Sequence, residues 1–321
     1  MTHFSSGHNG AIAFLFPGQG SQTLGMGKEL AEKYPIARQT FEEADEALSY
    51  KLSQICFEGP EEKLRLTEIT QPAILTTSVA AWRILDEKGI KSAFVAGHSL
   101  GEYSAHVAAG TLSFGDAVRT VCKRGQYMQD AVPVGVGGMS AILGMELDGV
   151  VAVCRDASAG EVCEPANINS PEQVVISGHT GAVERATKLA DERGAKRAKI
   201  LPVSAPFHCS LMKPAQERLA RDLEQLTFQD PGVPVACNVD AALVKDAGQS
   251  RDALIRQVTG SVKWEQSMRL LIGQGVHTFV EVGPGKVLCG LLRQIDRSRM
   301  CTNVGDEASL HKTLEQIAVR V

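Results

Sequence analysis

The sequence predicts an α/β protein: a mostly parallel sheet covered by helices, interrupted by a smaller α+β unit. Three observations carry this. Short apolar runs alternate with helical patterns through the first 130 or so residues, the order that builds parallel sheets. The stretch Val95-Ala96-Gly97-His98-Ser99-Leu100-Gly101-Glu102-Tyr103-Ser104 reads as strand, sharp turn and helix. From Pro133 the pattern changes to strand-helix-strand-strand-helix-strand, a ferredoxin-like order.

Ala11 to Phe16 is a compact apolar run ended by Pro17-Gly18-Gln19-Gly20, a buried first strand feeding a glycine loop. Helical patterns follow from Leu30 to Leu48. Thr70 to Lys88 reads as a helix with Gln71-Pro72 at its start, where proline is tolerated. The strand Ala93 to Ala96 leads into a helix from Tyr103 to Ala109, and Phe114 to Ala131 is a further helix. Val134-Gly135-Val136-Gly137-Gly138 is the candidate linker into the small unit. There, Met139 to Met145 is a strand and Gly149 to Ala157 a helix. Cys163 to Ile168 with Gln173 to Ser177 forms a hairpin, Thr180 to Arg193 a helix and Lys199 to Val203 the last strand. The boundaries expected are 1–133 and 205–321 for the large domain and 134–204 for the small one.

Composition narrows the function. A chain of 321 residues with 44% apolar and 22% charged side chains buries a large core. The net charge of −4 argues against a broad nucleic-acid surface. Met1 to Gly10 is polar and carries no apolar signal segment, and no run has the apolar length of a membrane span. The eight cysteines are scattered without a C-x-x-C pair, which favours a reduced, cytoplasmic setting over a disulfide framework.

Gly97-His98-Ser99-Leu100-Gly101 fits a nucleophile elbow, with the Ser99 hydroxyl lifted clear of the sheet near a helix N-terminus. Alone the motif is modest: with 31 glycines it arises by chance in about one such chain in five. The flanking strand and helix strengthen it. A serine nucleophile needs a base. His98 adjoins Ser99, and successive side chains at an elbow point apart. His208, in Ala205-Pro206-Phe207-His208-Cys209, sits on a rigid loop before a helix and is the better candidate. The alternative for it is a surface or capping histidine. No carboxylate stands out as its orienting partner, so the reading is a Ser-His dyad held by a neutral acceptor, suited to an activated thioester. Gly18-Gln19-Gly20-Ser21-Gln22 lacks the lysine of a P-loop. The backbone N–H groups of Gln19 and Leu100 are instead the candidate oxyanion hole, against the alternative of a plain tight turn. Arg124, in Lys123-Arg124-Gly125, is by default a solvated helix residue; pointed inward, its fork would pair with a substrate carboxylate.

Taken together these blocks resemble one family, the malonyl-CoA:acyl carrier protein transacylases of fatty acid synthesis. The resemblance rests on Phe16-Pro17-Gly18-Gln19-Gly20-Ser21-Gln22, Gly97 to Glu102, Lys123-Arg124-Gly125 and Val203 to His208. Asn167-Ile168-Asn169-Ser170-Pro171, Asn238-Val239-Asp240 and Glu281-Val282-Gly283-Pro284-Gly285 complete it. It implies an α/β-hydrolase-like large domain interrupted by a ferredoxin-like one. It implies Ser99 as the acylated nucleophile, His208 as base and then acid, and Gln19 and Leu100 as the oxyanion hole. Arg124 would bind the malonyl carboxylate, the Gln257 carbonyl would steady His208, and Asn167 would line the pocket. The implied reaction is ping-pong transfer of malonyl from malonyl-CoA to the phosphopantetheine thiol of acyl carrier protein, without metal or redox cofactor. Phe207 resembles the malonyl-type version of its motif.

Two other readings use the same elbow: a serine esterase or thioesterase, in which water replaces the carrier thiol, and a carrier-binding module without chemistry. The densest basic run, Arg193-Gly194-Ala195-Lys196-Arg197-Ala198-Lys199, is the candidate docking surface for the acidic carrier through Arg193, Lys196, Arg197 and Lys199. The alternative is a solvated helix C-terminus. A free-standing monomer is expected rather than a domain cut from a polyketide synthase; in a polyketide pathway the chemistry would be unchanged and only the carrier would differ.

Overall fold

The computed structural model describes residues 11–203 and 205–318. The polar stretch Met1 to Gly10, Ser204 and residues 319–321 lie outside the described residues. Among the described residues ten strands are formed: β1 (Ala11–Phe16), β2 (Phe94–Gly97), β3 (Gly137–Leu143), β4 (Cys163–Ser170), β5 (Gln173–His179), β6 (Arg197–Ile200), β7 (Val235–Ala236), β8 (Leu243–Val244), β9 (Val276–Val282) and β10 (Met300–Val304).

Six of them make one sheet in the order β10-β9-β1-β2-β7-β8. It is parallel from β10 to β7, and β8 adds an antiparallel edge. Central β1 is buried on both faces, as its unbroken apolar run requires. Phe14 and Phe16 pack into the core on one side, Ala13 and Leu15 into the core on the other. Ligand sites in such sheets lie beyond the carboxyl ends of the strands. There β1 and β2 end side by side, Phe16 opposite Gly97, and the His98 N–H donates to the Phe16 carbonyl at 3.0 Å. The glycine loop and the elbow are thereby neighbours.

Helix Thr67–Glu87 differs from expectation. It begins before Thr70, and Pro72 is its sixth residue rather than part of its first turn. The Ile69 and Thr70 N–H groups already bond to the Leu66 carbonyl, so a turn is wound ahead of the proline. The small unit's last strand lies slightly earlier than read, at Arg197–Ile200.

The other four strands form an antiparallel sheet, β4-β5-β3-β6. Its alternation assigns the two faces. Ile142, Val174 and Ile176 pack under helices Leu147–Ser158 and Thr180–Glu192, with Val150, Val153, Ala182 and Val183. Met139 and Val175 face the opposite way, into the core shared with the large sheet. The scattered cysteines, read as favouring a reduced setting over a disulfide framework, include one bonded pair: Cys289, on helix Val287–Ile295, is bonded to Cys301 on β10. Packing of that helix against the sheet edge brings the two thiols together, which their spacing in sequence did not reveal.

Candidate active site

The turn after β2 explains its glycines. A Cβ on Gly97 would lie 1.9 Å from the Gly101 carbonyl, and one on Gly101 would lie 2.1 Å from the Phe16 oxygen. Between them Ser99 is held at φ 52°, in the left-handed region. His208 is similarly held at φ 60°. Such backbone costs about 1–3 kcal/mol per residue and persists where surrounding contacts over-determine it.

Those contacts bring the expected residues together. Ser99 Oγ donates to His208 Nε2 at 2.7 Å, and His208 Nδ1 donates to the Gln257 carbonyl at 2.9 Å. This pairing fixes the tautomer, leaving Nε2 to accept a proton. Burial and the nearby Arg124 charge push the His208 pKa down to about 3, so the resting imidazole is neutral. His98 turns away from it: its Nε2 meets Asn169 Oδ1 at 2.9 Å and its ring lies against Trp264.

Arg124 is no solvated helix residue. Only 1% of it is exposed. Nη1 donates to Gln71 Oε1 at 2.7 Å, while Nη2 donates to Gln257 Oε1 at 2.9 Å and to Ser99 Oγ at 3.1 Å. Helix Phe114–Asp130 carries it inward opposite helix Thr67–Glu87, which supplies Gln71. Among the described residues no carboxylate pairs with this guanidinium directly. Burial pushes its pKa down, opposed by Tyr103 and Glu102.

Ser99, His208, Arg124, Gln19 and Asn167 line one cavity of about 130 Å³. Its roof is the free face of the small sheet and the chain after it: Met139, Val175, Leu201 and Val203. The Asn167 side-chain oxygen is buried and has no partner among the described residues. An adjoining cavity of about 170 Å³ shares Gln19, His98 and Asn167. The backbone N–H groups of Gln19 and Leu100 carry no hydrogen bond among the described residues.

Four contributors escaped the sequence reading. Asn238 Oδ1 accepts the Ser99 N–H at 2.7 Å, and its amide donates to the Gly97 carbonyl. The Gln257 side chain, not only its carbonyl, reaches the site. Gln71 steadies Arg124. Glu102, fully buried beneath the elbow, accepts from Gln257 Nε2 at 2.8 Å and from the Asn238 N–H at 3.0 Å. Burial pushes its pKa up to about 7. Asn238 and Glu102 stood in quoted blocks, which was the available signal.

The basic run divides. Arg193 pairs with Asp156 and Lys196 with Glu172. Arg197 and Lys199 are exposed on the edge strand β6, with no ion pair among the described residues. Also among the described residues, no group of three or more His, Cys, Asp or Glu side chains is placed to hold a metal ion, and no helix is long and apolar enough to cross a membrane.

Residues 13–315 match the model of the acyl transferase domain. The malonyl CoA-acyl carrier protein transacylase of Salmonella typhimurium is 50% identical over 306 residues, 95% of this chain and 99% of the relative. The chain belongs to this transacylase family. The malonyl CoA-acyl carrier protein transacylase of Coxiella burnetii superposes with a TM-score of 0.95 at 44% identity, covering 98% of this chain and 99% of that one. A malonyl-transacylase solved in complex with its type II PKS acyl-carrier protein superposes at 0.93 with 46% identity, covering 95% and 99%. All seven sequence blocks fall inside the matched span of the family model.

Proposed function

We propose that this chain transfers malonyl from malonyl-CoA to the phosphopantetheine thiol of acyl carrier protein for fatty acid synthesis. The observation that carries the reading is the placement of Ser99 Oγ between a neutral base, His208 Nε2, and a buried guanidinium, Arg124 Nη2. A hydrolase needs the first; the second calls for an acyl group with its own negative charge.

In the first half-reaction His208 Nε2 takes the Ser99 proton as Oγ bonds to the thioester carbon. The Gln19 and Leu100 N–H groups receive the carbonyl oxygen as it becomes anionic. Collapse breaks the carbon–sulfur bond, and His208 returns the proton to the departing coenzyme A thiolate. In the second, His208 takes the carrier thiol's proton, sulfur attacks the malonyl ester, and Ser99 leaves with that proton. Throughout, Arg124 holds the malonyl carboxylate, and Asn167 lines the pocket. An acetyl group would leave the buried guanidinium without its counter-charge. The scheme uses no cofactor.

We assign the large domain, 1–133 and 205–321, to an α/β-hydrolase-like fold and 134–204 to a ferredoxin-like module. The β4-β5-β3-β6 order and two helices on one face support the latter. Arg197 and Lys199, on the strand that runs into Leu201 of the cavity lining, support carrier docking on that edge. The enzyme is proposed to act as a cytoplasmic monomer. Intact-mass measurement after malonyl-CoA exposure tests the chemistry. Wild type gains one malonyl group, which carrier protein then removes, and Ser99→Ala gains none. No adduct, or an adduct that water discharges as fast as the carrier does, overturns the reading.

A further inference from the structure

The Gln257 side-chain amide stands between two unlike neighbours. Its oxygen accepts from Arg124 Nη2 at 2.9 Å. Its nitrogen donates to the Ser99 carbonyl at 2.9 Å and to Glu102 Oε2 at 2.8 Å. Turned over, the amide would set its oxygen against two other oxygens and its NH2 against a guanidinium. We propose that Glu102 is a positioning residue for substrate choice: its carboxylate fixes the Gln257 amide with the oxygen toward Arg124, and so fixes the guanidinium that receives the acyl carboxylate.

Three further features fit. Glu102 lies in the first turn of helix Gly101–Ala108, directly after the elbow, so it is rigidly tied to Ser99. Its own N–H donates to the Ser99 carbonyl, the same oxygen that holds Gln257 Nε2. The second carboxylate oxygen, Oε1, is buried with no partner among the described residues; an acid is kept in that place although only one of its oxygens is engaged there. A residue serving packing alone would be apolar there. The carboxylate absent from direct contact with His208 thus stands one amide away from the guanidinium, and it acts through Gln257.

The inference rests on the malonyl-transfer reading, and the test separates the two. Acylation of Ser99 by malonyl-CoA and by acetyl-CoA is measured for wild type, Glu102→Met, Glu102→Asp and Glu102→Gln. Met keeps the length without the acceptor. Asp withdraws the carboxylate by one methylene, out of reach of Gln257. Gln keeps an acceptor oxygen in the Oε2 place. In Met and Asp the malonyl-over-acetyl ratio falls about tenfold or more, through a raised malonyl-CoA KM rather than a kcat loss shared by both substrates. In Gln the ratio stays within about threefold of wild type, since the acceptor remains. If Met does not fold, Asp, which leaves a polar group in place, carries the test. An unchanged ratio in folded Asp or Met, or equal losses of both substrates, overturns the inference. A collapsed ratio in folded Gln also overturns it, because charge rather than amide orientation would then be at work. A wild type that shows no malonyl preference would instead overturn the functional reading.

Discussion

Two strand ends flank β1, and each runs through a glycine turn into a helix beside a buried glutamate. At the end of β2 the acid is Glu102, under the elbow. At the end of β9 it is Glu281, before Gly283-Pro284-Gly285 and helix Val287–Ile295. Burial pushes both carboxyls up to about 7. Their partners differ. Glu281 gives one oxygen to the Leu288 N–H at 3.1 Å and the other to the Cys289 N–H at 2.9 Å, satisfying the start of a helix. Glu102 commits one oxygen, partly to a side chain that touches Arg124, and the other has no partner among the described residues. A buried acid whose partners are all backbone is placed to hold the fold; one whose partner is a side chain reaching Ser99 and Arg124 is placed to act on the proposed site.

The largest effect that would break this contrast is expected at the turns themselves. In Gly101→Ala the new Cβ meets the Phe16 carbonyl at 2.1 Å, backbone that cannot yield without parting the elbow from the glycine loop. Ser99 acylation should fall by about 10² or more, since a shift near 1 Å is enough. In Gly285→Ala, at φ 82°, the nearest atom is Ser21 Cβ at 3.6 Å. Only backbone strain of about 1–2 kcal/mol is added, and acylation should stay within a few-fold. Acylation rates and thermal unfolding of both variants check this; an active Gly101→Ala would remove the elbow's special standing.

Next in size is Glu281→Ala. It leaves two buried N–H groups at a helix start without acceptors, a loss of about 2–4 kcal/mol. The unfolding temperature should drop clearly, while the malonyl-over-acetyl ratio stays at the wild-type value. A changed ratio would mean that Glu281 also acts on the site and that the contrast with Glu102 is false.

What was legible in the sequence follows the same division. The elbow could be read because its constraint is local: Gly97, Ser99 and Gly101 answer to one turn. The parallel order around β1 and β2 was visible as apolar runs between helical patterns. The short strands β7 and β8, two residues each, offer no run to read; β9 overlaps the last block only at Glu281 and Val282, and β10 follows that block, so neither stands out as a strand from the block itself. Arg124 stayed ambiguous because its helix pattern does not say what the opposite helix presents; Gln71 decides it. Glu102 is not legible as a site residue because it does not stand beside His208: it lies beneath the serine and reaches the site through Gln257, 155 residues away. Spacing along the chain cannot encode such a relay.

The smallest effect expected comes from the surface, where the same difference between committed and available side chains applies. Arg193 and Lys196 are tied to Asp156 and Glu172, and reversing either mainly disrupts an exposed pair worth about 0–1 kcal/mol. Arg197 and Lys199 sit opposite Leu143 and Ala141 in the β3–β6 register. Lys199 therefore shares the sheet face of Ala141 and Met139, and Leu201, two residues on, lines the cavity. Ala198 opposes Ile142 and faces the helices instead. An acidic carrier held by Arg197 and Lys199 would have its phosphopantetheine arm beside Leu201 and the cavity roof. The double reversal Arg197→Glu and Lys199→Glu should raise the carrier KM about three- to tenfold in low salt, less in high salt, with the malonyl-CoA KM unchanged. Reversal of Arg193 and Lys196 should do less. Equal effects from both pairs would show that the ion pairs do not withhold those side chains, and an unchanged carrier KM in the Arg197 and Lys199 variant would move the docking surface elsewhere.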